Sequence, residues 1–242
     1  MALLSPRTEK IWRTRLSRRV HQLADRVAPP DQQDRLRRRV GGNWEVVGRL
    51  QFDFMVGQGF SPHHRFIDVG CGTLRGGVHY VRYLDSGNYY GIDLAPEMLE
   101  GGRAELTAAG LGDRSVHLRQ SDTFDVDFGV PFDFGIALSV FTHVPLNSVV
   151  LCLTNLSEQL AIGGQFYATF FRCPDGPARR TPIEQPHLDG FSPAMTYCDR
   201  NNFHYSMRDF DFAAEGLPLR LEDLGDWGHP RGQQMLRVTR TD

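Results

Sequence analysis

Residues 66–77, Phe-Ile-Asp-Val-Gly-Cys-Gly-Thr-Leu-Arg-Gly-Gly, limit the fold more than any other stretch of the chain. A short apolar run ends at an acid, passes through Gly70 and Gly72, and opens into a helical pattern. Glycine reaches backbone conformations that other residues avoid. The stretch therefore reads as a strand turning tightly into a helix, a place where backbone N–H groups can approach a ligand. A Gly-x-Gly turn by itself fits any nucleotide, so its surroundings have to narrow the choice.

Those surroundings alternate. Apolar runs at 65–69, 88–92, 116–119, 132–138 and 165–171 read as strands, and 75–84, 96–109 and 147–160 read as helices among them. Gly163 and Gly164 mark a turn into the fifth run. Such alternation predicts an α/β fold, a parallel sheet with helices on both faces. Further on, 206–215 reads as a helix, and 219–224 and 234–239 as two strands joined by a loop too long for a tight hairpin. Ahead of the turn, 43–58 reads as a helix with Trp44, Val47, Leu50 and Phe54 inward and Asn43 as its N-cap. Residues 172–196 break the rhythm with five prolines, and an irregular stretch of that length in a compact domain is a lid or a disordered loop. The organisation expected is a basic helical arm over 1–42 and one domain over 43–242, with a lid insertion at about 172–196.

Charge sets the arm apart. The net charge is only −2, but residues 1–40 carry eleven Lys/Arg against four acids, whereas the remainder carries sixteen against twenty-five. Within the arm, Trp12, Leu16, Val20, Leu23 and Val27 share one face of a helix over 7–28, and Leu36 and Val40 follow after Pro29 and Pro30. One reading is an anionic partner, nucleic acid or a membrane surface; the other is a stripe packed on the domain or on a second subunit of a homodimer. Glu9, Asp25, Asp31 and Asp34 interrupt the positive run and favour packing, which makes a nucleic-acid partner the weaker expectation. No apolar run reaches the length of a membrane span, and the N-terminus lacks the apolar core of a signal peptide. Four cysteines without C-x-x-C spacing suit a reducing, cytoplasmic setting and argue against a zinc site.

Ligands in open α/β sheets bind beyond the carboxyl ends of the strands. The residues there are Asp68, Gly70, Cys71, Gly72 and Thr73 after the first strand, and Asp93 and Leu94 after the second. The third strand is followed by Ser121, Asp122 and Thr123, the fourth by Ser139, Phe141, Thr142 and His143. Asp93 follows Gly72 near the roughly 20-residue offset at which a carboxylate accepts ribose hydroxyls. A dinucleotide fingerprint wants a third glycine where this chain has Arg75, and Asp68 would repel a pyrophosphate while attracting a cationic amino group. An ammonium at the turn, a ribose on Asp93 and an adenine near Asp122 together describe S-adenosylmethionine.

On these motifs, Asp68-Val-Gly-Cys-Gly72, Tyr90-Gly-Ile-Asp93, Gln120-Ser-Asp122 and 132–139, the chain resembles class I S-adenosylmethionine-dependent methyltransferases over about residues 43–242. The resemblance implies a Rossmann-like seven-stranded, mostly parallel sheet whose last two strands pair antiparallel. It also implies that Asp68 and the glycine turn face the methionine part, Asp93 the ribose and Asp122 the adenine, with Ser139 lining the sulfonium region. Arg75 departs from the family pattern, and its side chain is free to reach the methionine carboxylate or a substrate.

After the fourth strand the chain reads Ser-Val-Phe-Thr-His-Val-Pro, without the Asn-Pro-Pro-Tyr-like motif of enzymes that methylate base amino groups and without a Pro-Cys nucleophile. His143 is instead the titratable group nearest the expected methyl acceptor, where it either serves as a general base for a hydroxyl or simply caps the following helix or packs in its loop. Tyr205, Trp227, His229 and Arg231, with Glu184 and His187 of the lid, supply stacking and hydrogen-bonding groups suited to a carbohydrate. Asp199, Asp223 and Asp226 could bind Mg²⁺, although their spacing does not indicate a metal. The pattern is similar to bacterial sugar and small-molecule O-methyltransferases, including the actinobacterial type that acts on methylated mannose polysaccharides. The expected activity is O-methylation of a sugar or small polar acceptor. An RNA-directed methyltransferase gripping through the arm and a nicotinamide-dependent oxidoreductase are the rivals.

Overall fold

The computed structural model describes residues 32–242; the helix expected over 7–28, and the dimer face it would offer, lie outside the described residues. Helices α1 (Gln32–Arg39) and α2 (Trp44–Gly57) lead into β1 (Phe66–Val69), α3 (Gly77–Tyr83), β2 (Tyr89–Asp93), α4 (Pro96–Ala108) and β3 (Val116–Gln120). Then come β4 (Phe132–Ala137), α5 (Leu146–Gln159) and β5 (Leu160–Arg172). A 3₁₀ turn (Pro177–Arg180), β6 (Ile183–Glu184), β7 (Met195–Thr196), β8 (His204–Tyr205), α6 (Met207–Ala213), β9 (Leu219–Asp226) and β10 (Gln234–Arg240) complete the chain.

Seven strands follow the order β3-β2-β1-β4-β5-β10-β9, and β8 adds to the end of β5. Strands β1 to β5 run parallel, while β10 is antiparallel to both of its neighbours. The Rossmann-like sheet expected from the sequence is thus present. The strand order reverses between β1 and β4, which opens the crevice where such sheets take ligands.

Strand periodicity divides the core between the two faces. Ile67, Val69, Ile92, Phe166, Ala168, Leu236 and Val238 pack against α5 and α6, whereas Phe66, Tyr89, Phe134, Ile136, Tyr167 and Met235 pack against α2, α3 and α4. Each Val, Leu, Ile, Phe and Met among them stabilises the fold by about 1.5–3 kcal/mol on burial. Asp68 falls on the second face, among tyrosines.

Three local features differ from the sequence reading. Asn43 makes no side-chain cap and takes a left-handed φ of 50°. The buried face of α2 is Val47, Gly48, Gln51 and Met55, with Trp44, Leu50 and Phe54 only partly covered, because Gly48 lets α2 close on α3. A Cβ at Gly48 would stand 2.6 Å from the Arg75 carbonyl oxygen. Strand β5 begins at Leu160, so Gly163 and Gly164 lie within it at a shift of the β4–β5 register; a Cβ at Gly164 would sit 2.8 Å from the Phe132 carbonyl oxygen. In keeping with the packed reading of the basic segment, α1 docks on the domain. Arg37 clasps Glu105 of α4 at 2.5 and 2.6 Å, the Gln33 amide donates to the Gly101 carbonyl at 3.0 Å, and Leu36 is buried against Gly101.

The 172–196 segment is ordered around the short β6–β7 pairing. Arg179 forks onto Asp209 at 2.7 and 2.8 Å, and the Leu188 N–H donates to the Pro230 carbonyl at 2.9 Å. Together these bonds tie the segment to α6 and to the loop before β10.

Candidate active site

The glycine turn positions the site, but its amides do not face outward as expected. The N–H groups of Gly70 and Cys71 both donate to the Ile92 carbonyl, at 2.8 and 3.0 Å, and that of Gly72 donates to Asp93 Oδ2 at 2.8 Å. With these three donors spent on the end of β2, the turn offers no row of these amides to cradle a pyrophosphate. What the turn offers is room. Gly70 and Gly72 have φ of 69° and 54°, and a Cβ at Gly70 would lie 2.5 Å from Val140 Cγ2.

A cavity of about 450 Å³ lies beyond the carboxyl ends of β1, β2 and β4. It is within the usual range for small-ligand sites. Asp68, Gly70, Cys71, Gly72, Arg75, Asp93, Ser139, His143, His229 and Arg231 from the sequence set all line it. Asp93 receives the Gly72 and Ala95 N–H groups, one on each carboxylate oxygen, at 2.8 and 3.0 Å. Each oxygen keeps lone-pair capacity for a hydroxyl. Asp68 is buried, accepts the Tyr89 hydroxyl at 2.7 Å, and is pushed up to about 7 by burial, which that hydrogen bond partly offsets, and by Asp93 nearby.

Arg75 has a defined partner set. Its Nη1 donates to the carbonyls of Val40 and Gly42 at 2.6 and 3.1 Å, holding the α1–α2 turn against the cavity. His229 is 6% exposed, accepts the Arg231 N–H on Nδ1 at 3.2 Å, and is pushed down to about 3 by burial and by the positive charges of Arg75 and Arg231. It is therefore a neutral imidazole with its proton on Nε2. His143 is exposed at the cavity wall, and its Nδ1 meets Asn201 Oδ1 at 2.7 Å. Nδ1 is then the protonated nitrogen and Nε2 the basic one.

Several expected site residues lie elsewhere. Thr73 is fully buried with its hydroxyl unpartnered among the described residues, packed near Gly101. Leu94 is exposed and, with Ser121, Asp122 and Thr123, stands outside the cavity lining; Ser121 Oγ instead accepts the Asp125 N–H at 2.8 Å. Tyr205 is a core residue whose hydroxyl donates to the Val144 carbonyl at 2.5 Å, and it borders a second, smaller cavity of about 300 Å³. Trp227 packs edge-on against Phe54, 5.3 Å between ring centroids, behind the lining. Asp223 pairs with Arg172, Asp226 receives the Gly228 N–H at 2.9 Å, and among the described residues no three His, Cys, Asp or Glu side chains converge on a metal site.

The structure also adds residues. Val40, Gln51, Val140, Phe191 and Gln233 line the cavity, and Asn201 orients His143. Gln233 is 4% exposed, and its Oε1 accepts the hydroxyls of Ser139 and Thr169 at 3.0 and 2.6 Å. Its one sequence signal was Gly232 just before a strand.

Residues 67–166, which hold the turn, both strand-end acids and β1 to β4, match the family model described as a methyltransferase domain. Three solved structures share the fold. An S-adenosylmethionine-dependent methyltransferase from Clostridium acetobutylicum is 11% identical, with a TM-score of 0.60 over 94% of this chain and 100% of that one. CalS10, an amino pentose methyltransferase from Micromonospora echinaspora solved with S-adenosylmethionine, is 16% identical, with a TM-score of 0.59 over 100% and 99%. The magnesium protoporphyrin IX methyltransferase of Synechocystis, solved with S-adenosylhomocysteine, is 14% identical, with a TM-score of 0.56 over 82% and 86%. The chain thus has the fold of S-adenosylmethionine-dependent methyltransferases, and its residues 67–166 carry the pattern of the methyltransferase domain.

Proposed function

We propose that the protein is an S-adenosylmethionine-dependent O-methyltransferase acting on a sugar or another small hydroxylated acceptor. The observation that carries the cofactor reading is the junction of Asp93 with the glycine turn. A carboxylate fixed by two N–H groups stands beside a turn cleared of side chains, and the turn's own amides are occupied. That suits a ribose diol and a cationic amino acid moiety, and does not suit a pyrophosphate, so it also disfavours the oxidoreductase. The relatives described above, one named as an amino pentose methyltransferase, support the same choice.

Bound there, S-adenosylmethionine supplies an electrophilic methyl group. Asp93 holds the ribose hydroxyls, Asp68 meets the amino group, and Gly70 and Gly72 leave space for the methionine chain. His143 takes the acceptor hydroxyl's proton on Nε2 while Nδ1–H stays on Asn201. Holding acceptor and methyl group in line contributes up to roughly 7–11 kcal/mol, and the positioned base about 10²–10⁴-fold.

The test is a methyl-transfer screen over mono- and oligosaccharides with labelled cofactor, followed by His143→Ala. Turnover is expected to fall about 10²–10⁴-fold with S-adenosylhomocysteine affinity retained. Near-normal turnover in the variant would remove the base assignment. Failure of every hydroxylated acceptor would remove the sugar reading and leave the methyltransferase.

A further inference from the structure

The loop entering β10 brings donor groups of three side chains, His229, Arg231 and Gln233, to the cavity. Gln233 is 4% exposed; both hydroxyl bonds fall on its Oε1, and its amide nitrogen has no partner among the described residues. His229, through Nδ1, has given its acceptor nitrogen to the Arg231 N–H, which leaves Nε2–H. The Arg231 guanidinium has no hydrogen-bond or ion-pair partner among the described residues, and a Cβ at Gly41 would lie 4.0 Å from its Nη1 and 3.8 Å from that of Arg75.

The loop is also held still. The Gly232 N–H donates to the His229 carbonyl at 2.9 Å, and a Cβ at Gly232 would come within 2.4 Å of the Pro186 oxygen, so the insertion clamps it. Neither nearby acid forms an ion pair with Arg231: Asp226 receives the Gly228 N–H, and Asp68 accepts from Tyr89. A pre-set group of two neutral donors and one unpaired guanidinium matches a planar anion of single charge. A dianionic phosphate would ask for more positive charge, and Arg75 is largely spent on Val40 and Gly42.

We propose that His229, Arg231 and Gln233 form a carboxylate-binding subsite in the methyl-transfer cavity. It rests on the methyltransferase reading for its ligand, which is either the methionine carboxylate of the cofactor or an acid group on the acceptor.

Gln233→Glu separates the two faces of that side chain, since it keeps the oxygen that serves Ser139 and Thr169 and turns the free amide into a repelling oxygen. Arg231→Gln, at a partly exposed position, removes the charge without touching the core. Calorimetry on the full chain would measure S-adenosylhomocysteine, 5′-methylthioadenosine (which lacks the amino acid part), and D-glucuronate against D-glucose. If the carboxylate is the cofactor's, both variants lose S-adenosylhomocysteine affinity by roughly tenfold to hundredfold and keep 5′-methylthioadenosine. If it is the acceptor's, S-adenosylhomocysteine is unaffected and a wild-type preference for glucuronate over glucose disappears. Variants equal to wild type for both acids overturn the subsite. A wild type that ignores S-adenosylhomocysteine but prefers glucuronate through these residues overturns the methyltransferase reading and leaves the subsite standing.

Discussion

At the residue scale, Asp68 is where burial and charge are most finely balanced. Burial holds its pKa near 7, Asp93 pushes the same way, and the Tyr89 hydrogen bond and Arg75 pull it down. In the unfolded chain a carboxyl titrates near about 3.9. The folded protein therefore binds more protons than the unfolded one between those values. The contribution of Asp68 to stability is largest while it is protonated and is lost as pH rises toward 7. Binding runs the other way. On the proposed reading an ammonium group settles against Asp68 and favours its carboxylate, so binding below pH 7 releases a proton. The affinity for S-adenosylhomocysteine should rise with pH by up to about tenfold per unit and level off near neutrality. Calorimetry in buffers of different ionisation enthalpy would report the released proton directly. Asp68→Asn should bind more weakly and without this slope, and 5′-methylthioadenosine should show none in the wild type. A flat wild-type profile would mean that Asp68 does not meet the amino group.

Among the elements, α1 links the basic end of the chain to the cavity wall. Its Arg37 clasps Glu105, which is only 3% exposed, and stacks on Trp44 with 4.9 Å to the ring centroid. Arg39 and Val40, at its end, reach the cavity. Removing Arg37 would leave a buried carboxylate without its strongest partner, at a cost of about 1–3 kcal/mol. Arg37→Ala is therefore expected to speed amide exchange over residues 36–42 and to release S-adenosylhomocysteine faster, with Glu105→Gln milder because an amide is easier to bury than an unpaired charge. Unchanged exchange would show that Leu36, Gln33, Arg39 and Arg75 suffice to hold α1. The sequence favoured packing for this segment but did not point to Glu105 as its partner, whereas the sheet was directly readable. Strand runs, the glycine turn and the acid near the 20-residue offset are local or periodic signals, and they placed Asp68, Asp93, Ser139 and His143 at one cavity. What stayed hidden depends on distant partners. Glu105 meets Arg37 across 68 positions, and Gln233 meets Ser139 across 94. The opposite error has the same origin: the turn's amides looked available because Asp93 and Ile92, which consume them, come a whole βαβ unit later.

For the molecule as a whole, the open matter is what the uneven charge is for. Residues 1–31 carry seven Lys/Arg against three acids, and the body of the chain is acidic. No helix among the described residues is long and apolar enough to cross a membrane. An RNA-directed enzyme would use the basic segment as its grip, and phosphate contacts would give its activity a steep dependence on salt. The contacts of α1 decide where a decisive deletion must end. Cutting at residue 40 would strip Arg39 and Val40 from the cavity wall and expose Glu105, so lost activity would say nothing about an arm. Removing residues 1–31 leaves every described contact in place. On the small-acceptor reading, that variant keeps S-adenosylhomocysteine affinity and turnover, and both forms respond weakly to salt because the acceptor carries few charges. A wild type that methylates RNA with a steep salt slope, and loses both slope and activity without residues 1–31, would reverse the assignment and make the basic segment the substrate-binding element.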